Sequence, residues 1–117
     1  MKIYTSYFAN WRHFPNNAVP IGVTRFKPKS WNGINLGSLA PSDKLLRQYK
    51  NKYVDELMFK MMYYQELKER KLTPEFVRET LETAVGDKDV ILCCYEKKGE
   101  FCHRHLLADW LGGGEEL

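Results

Sequence analysis

The sequence predicts a single α/β domain, and three patterns predict it: strand-like segments near the N-terminus, amphipathic repeats through the middle, and a late apolar run, Val90-Ile91-Leu92-Cys93, followed by helical spacing at Leu106, Leu107, Trp110 and Leu111. A continuous apolar run of this length reads as a strand covered on both faces, and apolar residues three and four apart make one face of a helix. A chain of 117 residues suffices for one core and falls short of two.

Taken in order, Lys2 to Ser6 reads as the first strand and Tyr7 to Asn17 as a polar and aromatic connection. Ala18 to Phe26 reads as a second strand, with Pro20 confined to its start or to an edge because proline has no N–H for the ladder. Lys27 to Pro41 is rich in Gly, Pro, Ser and Asn and reads as loop; loops this long carry function or move. Within it Trp31, beside Lys27 and Lys29, either stacks on a base or anchors the loop. Ser42 or Asp43 caps a helix through Leu45, Leu46 and Tyr49. Next, Tyr53, Leu57, Met61, Tyr64 and Leu67, widened by Val54 and Met58, form a stripe expected to pack on the sheet. Thr73 and Pro74 are an N-cap and first-turn pair, Phe76, Val77, Thr80, Leu81 and Ala84 the apolar face that follows, and Gly86 the stop. The composition of residues 112–117 is that of a flexible tail, which leaves 1–111 as the domain.

Hydrophobic residues make up 44% and charged residues 28%, the balance of a folded chain and not of a disordered one. No apolar stretch approaches the roughly 18 residues of a membrane span, and Met1-Lys2-Ile3-Tyr4 has no secretory core, so the expectation is a cytoplasmic protein with no membrane partner. Three cysteines make no disulfide framework and are expected as thiols in such a compartment. No cofactor motif is present. The net charge of +3 is not that of a nucleic-acid binder. It is, however, unevenly placed: residues 1–50 hold eight Lys or Arg against Asp43 alone, a net +7, and the remainder carries −4. Such a split suits an anionic small molecule, phosphorylated or nucleotide-like, as the partner.

Chemistry concentrates where Cys94-Tyr95-Glu96 is followed by five residues and then Cys102-His103-Arg104. Successive strand residues face opposite ways, so Cys93 and Cys94 cannot share a cleft; Cys94 is the functional one and Cys93 a core residue. Cys102, His103 and Arg104 open the last helix, where free N–H groups favour an anion and lower a thiol pKa. Three readings follow. In one, Arg104 holds the anion and Glu96 accepts hydrogen bonds from the ligand. In another, a thiol-dependent enzyme uses Cys94 or Cys102 as nucleophile with His103 or Glu96 as base. In the third, Cys94, Cys102 and His103 bind zinc; this is the weakest, because a closed tetrahedral site needs a fourth ligand, and no metal is expected. An interaction protein with a vestigial pocket is a further class.

The stretch from Leu92 to Leu106 resembles the signature of the domain of unknown function 488 (DUF488) family, Cys-x-Glu, five residues, Cys-His-Arg, with Cys94, Glu96, Cys102, His103 and Arg104 all matching. The N-terminal Thr5-Ser6-Tyr7-Phe8-Ala9-Asn10 and Val19-Pro20-Ile21 are similar to one branch of that family. The resemblance implies a single three-layer Rossmann-like domain with a mainly parallel sheet. Many members carry Asp-Val-Arg at the end of the second strand; here Val23-Thr24-Arg25 stands there, keeping the arginine without the acid. On that fold Thr5, Ser6, Tyr7 and Arg25 are expected to converge with Glu96 and Arg104 as ligand-binding residues, because parallel strands deliver their C-terminal ends to one edge. Arg12 and His13 are further candidates on the first connection.

Overall fold

In the computed structural model, which describes residues 1–117, five parallel strands form one sheet in the order β3-β2-β4-β1-β5. They are β1 (Ile3–Tyr7), β2 (Ala18–Gly22), β3 (Ile34–Asn35), β4 (Asp89–Cys94) and β5 (Glu115–Glu116). Four helices accompany them: α1 (Asp43–Lys50), α2 (Glu56–Glu69), α3 (Pro74–Val85) and α4 (His103–Trp110). The chain is thus the single α/β domain that its alternating pattern predicts.

The apolar run is the central strand. Val90 through Cys94 have no solvent exposure, because β4 has β1 and β2 on either side and side chains packed on both faces. Val90 and Leu92 meet Val77, Leu81 and Leu107 of the helices, whereas Ile91 and Cys93 face the opposite way, against Phe8 and Ala18. All four helices bury their apolar side chains on the first face. The second face has only a thin layer, a 3-10 turn at Phe8–His13 and the loop carrying Trp31.

Local signals placed the helix ends well. Ser42 accepts a hydrogen bond from the Leu45 N–H, Thr73 does the same for Phe76, and Gly86, at φ 67°, stops α3. Pro20 lies inside β2, but β3 reaches only Ile21 and Gly22, so β2 is still an edge where the proline sits. Gly22 is required by close approach: a Cβ there would lie 2.3 Å from Asn35 Oδ1.

Four expectations need correction. The second strand stops at Gly22 and not at Phe26. The loop over 27–41 contains β3 and a 3-10 turn at Gly37–Leu39, since pairing to β2 is a long-range event that turn residues do not reveal. On α2 the buried residues are Phe59, Tyr63 and Leu67, while Leu57 and Met61 of the expected stripe are exposed, as is Tyr53 before the helix. Leu57, Met58, Phe59, Met61 and Met62 put apolar residues on every side of its first turns, so periodicity alone chooses no face there. The rings decide: Phe59 packs on Tyr49 and Phe101, and the Tyr63 hydroxyl donates to the Leu39 carbonyl. Likewise α3 buries Val77, Leu81 and Val85 and exposes Phe76. The fourth concerns the C-terminus: residues 112–117 are not a loose tail but add β5 beside β1, with the Leu117 N–H donating to the Thr5 carbonyl.

Candidate functional site

The parallel register brings Tyr7, Gly22 and Cys94 to the same edge of the sheet, because Tyr7 pairs with Cys94 and Gly22 with Cys93. Beyond Cys94 the chain turns through residues 95–101 and re-enters as α4, with Cys102 at its N-cap position. Cys94, Cys102 and His103 are therefore neighbours in space, their ligand atoms all within 4.8 Å of one another. Cys94 and Cys102 are joined as a disulfide, where composition had suggested thiols; their proximity comes from the turn, which cysteine counting does not see. Cys93 is the buried core thiol expected, pushed up to about 12 by burial, which the nearby Arg104 charge only partly offsets.

Arg104 is the organiser of this corner. It has no exposure, and all five of its N–H donors are used. Nη1 donates to Cys94 Sγ at 2.9 Å and to the Glu96 carbonyl at 2.6 Å; Nη2 donates to Glu116 Oε2 at 2.8 Å and to the Lys97 carbonyl at 3.4 Å; Nε donates to Glu116 Oε1 at 3.3 Å. No donor is left for an incoming anion, which corrects the expectation that Arg104 holds the ligand. Its partner Glu116 also accepts from Thr5 Oγ1 at 2.6 Å. Burial would raise that carboxyl, but the hydrogen bonds from Arg104 and Thr5 prevail and hold it below its ordinary range. Glu116 was missed in the sequence because it follows three glycines. The signal that finds it is the need of a sealed guanidinium for a carboxylate.

His103 is also buried, with Nε2 2.6 Å from the Val23 carbonyl. A carbonyl only accepts, so Nε2 carries the proton in the neutral ring and Nδ1 presents its lone pair to Cys102 Sγ, 3.8 Å away. Burial pushes His103 down to about 4; the Val23 bond opposes this and the Arg104 charge adds to it. The imidazole is thus neutral near pH 7, with its Nδ1 lone pair directed at the Cys102 sulfur of the disulfide.

The other expected residues separate. Thr5 is buried against Glu116, and Ser6, on the opposite face, accepts from Asn10 Nδ2 at 3.1 Å. Glu96 is exposed and no longer extended from β4; its carbonyl turns in to Arg104 while its side chain lines a cavity of about 390 Å³ with Thr24, Arg25, Asp43, Tyr95 and His103. Arg25 is the accessible cation there, 3.6 Å from Asp43. Tyr7 lies at the strand edge, and Arg12 and His13 are exposed on the 3-10 turn. Cys102 borders a separate cavity of about 510 Å³ with Glu56, Lys60, Phe101 and His105. The Cys94, Cys102 and His103 set is the group with metal-ligand proximity, but sulfurs bonded to each other are not thiolate ligands, and the set offers three donors where a closed zinc site takes four.

Residues 5–113 match the family model described as the active DUF488-N3 subclade. No curated protein and no solved structure matches the chain. No helix is long and apolar enough to cross a membrane.

Proposed function

The chain belongs to the DUF488 family, and on that premise we propose that it is a thiol-dependent enzyme in which Cys102 is the nucleophile and Cys94 its resolving partner. The observation that carries this is the meeting of two cysteines, an oriented imidazole and a buried guanidinium at the junction of β4 and α4. The matched subclade's description as active fits an enzyme. Cys102 borders a cavity, whereas Cys94 has no exposure, so the outer sulfur meets substrate first.

In the dithiol form Cys102 Sγ attacks an electrophilic sulfur of a substrate disulfide, its proton passing by way of His103 Nδ1 to the departing thiolate. Cys94 Sγ then attacks Cys102 Sγ and closes the Cys94–Cys102 bond, and its proton goes to the remaining substrate sulfur, which leaves as a second thiol. The substrate gains the two electrons that the cysteine pair loses, and a thiol reductant of the cytoplasm reopens the bond. Thiolate character at Cys102 is supported by the α4 N-terminus, and at Cys94 by the charge-assisted bond from Arg104. The test is alkylation of reduced protein across pH. Cys102 is expected to react well below the free-thiol value of about 8.5, and Cys102→Ser to abolish that phase. Reaction of Cys102 only at the ordinary value overturns the proposal.

A second reading, binding of an anionic nucleotide-like small molecule, is favoured by the cleft in which Arg25, from the part of the chain that carries +7, stands beside Thr24, Glu96 and His103. In this reading Arg25 takes the role first expected of Arg104. Phosphorylated ligands then raise the melting temperature of the wild type, and Arg25→Ala loses that shift. Equal shifts for the two proteins count against it.

A further inference from the structure

The face of the sheet without helices carries the largest hollow of the molecule, a groove of about 920 Å³ within the size range of small-molecule sites. Five aromatic residues line it: Phe8, Trp11, Phe14, Trp31 and Tyr95. Phe8 fixes the arrangement, meeting Trp31 at 5.0 Å and Tyr95 at 5.1 Å between ring centres, both edge-on. Trp11 is nevertheless 58% exposed and Tyr95 52%. Rings of this size left open on a rigid wall are surfaces without a partner of their own. Asn16 and Asn32, also exposed, add amide donors and acceptors to the lining.

Charge selects among flat apolar ligands. Residues 1–42 contain no Asp or Glu, so apart from Tyr95 every residue of the lining comes from a stretch whose charged residues are all basic. Arg12 lies over the Trp11 ring at 5.1 Å, and exposed Lys27 and Lys29 flank the lining residue Pro28. Stacking faces, amide edges and a cationic rim are together complementary to a nucleobase joined to phosphate.

We propose that this groove binds the base of a nucleotide, with Trp11 and Trp31 as stacking faces and Arg12, Lys27 and Lys29 meeting its phosphate. The inference rests on the nucleotide-like half of the function proposed above and is independent of the thiol half. Tyr95 borders both this groove and the Arg25 cleft, so a nucleotide seated here lies beside the residues that follow Cys94.

Tryptophan fluorescence titration of the full chain tests it, with the four ribonucleoside 5′-monophosphates, their nucleosides, ribose 5-phosphate and a short single-stranded oligonucleotide as probes. Monophosphates are expected to quench saturably and ribose 5-phosphate not to. Trp11→Ala and Trp31→Ala should each weaken binding roughly tenfold, as lost base stacking does. Trp31→Ala also unpacks Phe8; Trp11→Ala, at an exposed position, keeps the fold and decides the matter. Arg12→Gln, Lys27→Gln and Lys29→Gln should weaken nucleotides and leave nucleosides unchanged. An oligonucleotide that binds more tightly than its monomers identifies a strand as the source, and equal affinity identifies the free nucleotide. Binding that ignores Trp11→Ala and is lost in Arg25→Ala overturns the groove while keeping a nucleotide ligand. Absence of all nucleotide binding overturns both. Neither outcome touches the alkylation test.

Discussion

Four helices close one face of the sheet over a cluster of 17 buried residues, whereas on the other face a 3-10 turn and a loop bury a cluster of only four. The difference separates two kinds of polar and aromatic residue. On the closed face Arg104, Glu116, Thr5 and Tyr63 have their partners inside the protein, and their chemistry is spent on holding the fold. On the open face Trp11, Arg12 and Asn32 are exposed. At the seam, Cys102 and His103 belong to the closed side but border cavities.

The contrast breaks most severely at the buried ion pair. Arg104→Ala leaves the Glu116 carboxylate without its cation and should cost about 3–5 kcal/mol in denaturant unfolding, with Glu116→Gln in the same chain recovering a large part. If the single variant unfolds like the wild type, Arg104 is not the organiser of the closed face.

Next in size is a pH effect. An unfolded histidine titrates near 6.5 and His103 near 4, so between those values the unfolded state binds a proton that the folded state refuses. Stability should therefore fall by roughly 3 kcal/mol as pH drops through that window, with no contribution from this group above it. Glu116, whose carboxyl is held down in the fold, adds stability above the ordinary carboxylate range that is lost as pH falls through its lowered value. His103→Gln should flatten the upper part of the profile and keep the lower part; an unchanged slope from pH 6.5 downward refutes the assignment.

The smallest change in stability is expected on the open face, set against a core deletion on the closed one. Leu81→Ala, under the helices, should cost about 2–5 kcal/mol, whereas Trp11→Ala should change stability by less than about 0.5 kcal/mol while weakening nucleotide binding. Comparable losses of stability would make the aromatic face a second core.

Much of this arrangement was legible in the residues. The apolar run ending at Cys94, the caps Ser42 and Thr73, the stop at Gly86 and the grouping of Cys94, Cys102 and His103 all follow from local pattern or short spacing. Arg104 was singled out with the rest of the motif, and its acceptors were not foreseen, because one side chain's sequence neighbours do not reveal them. Phe59 and Tyr63 were hidden among the apolar residues that surround the first turns of α2, and Glu116 behind three glycines.

Local pattern is enough for the α/β class, the order of the main strands and helices, and the turn where Cys94, Cys102 and His103 meet, since periodicity, capping and turn geometry act over a few residues. Tertiary structure alone decided which side of α2 is buried, that the last residues complete the sheet, and that Arg104 is sealed while Arg25 stays open. Those outcomes depend on partners as far apart in the chain as Thr5 and Glu116, and burial gives each partner its weight, because an unpaired charge or an unfilled ladder position inside the protein costs a large share of the chain's modest stability.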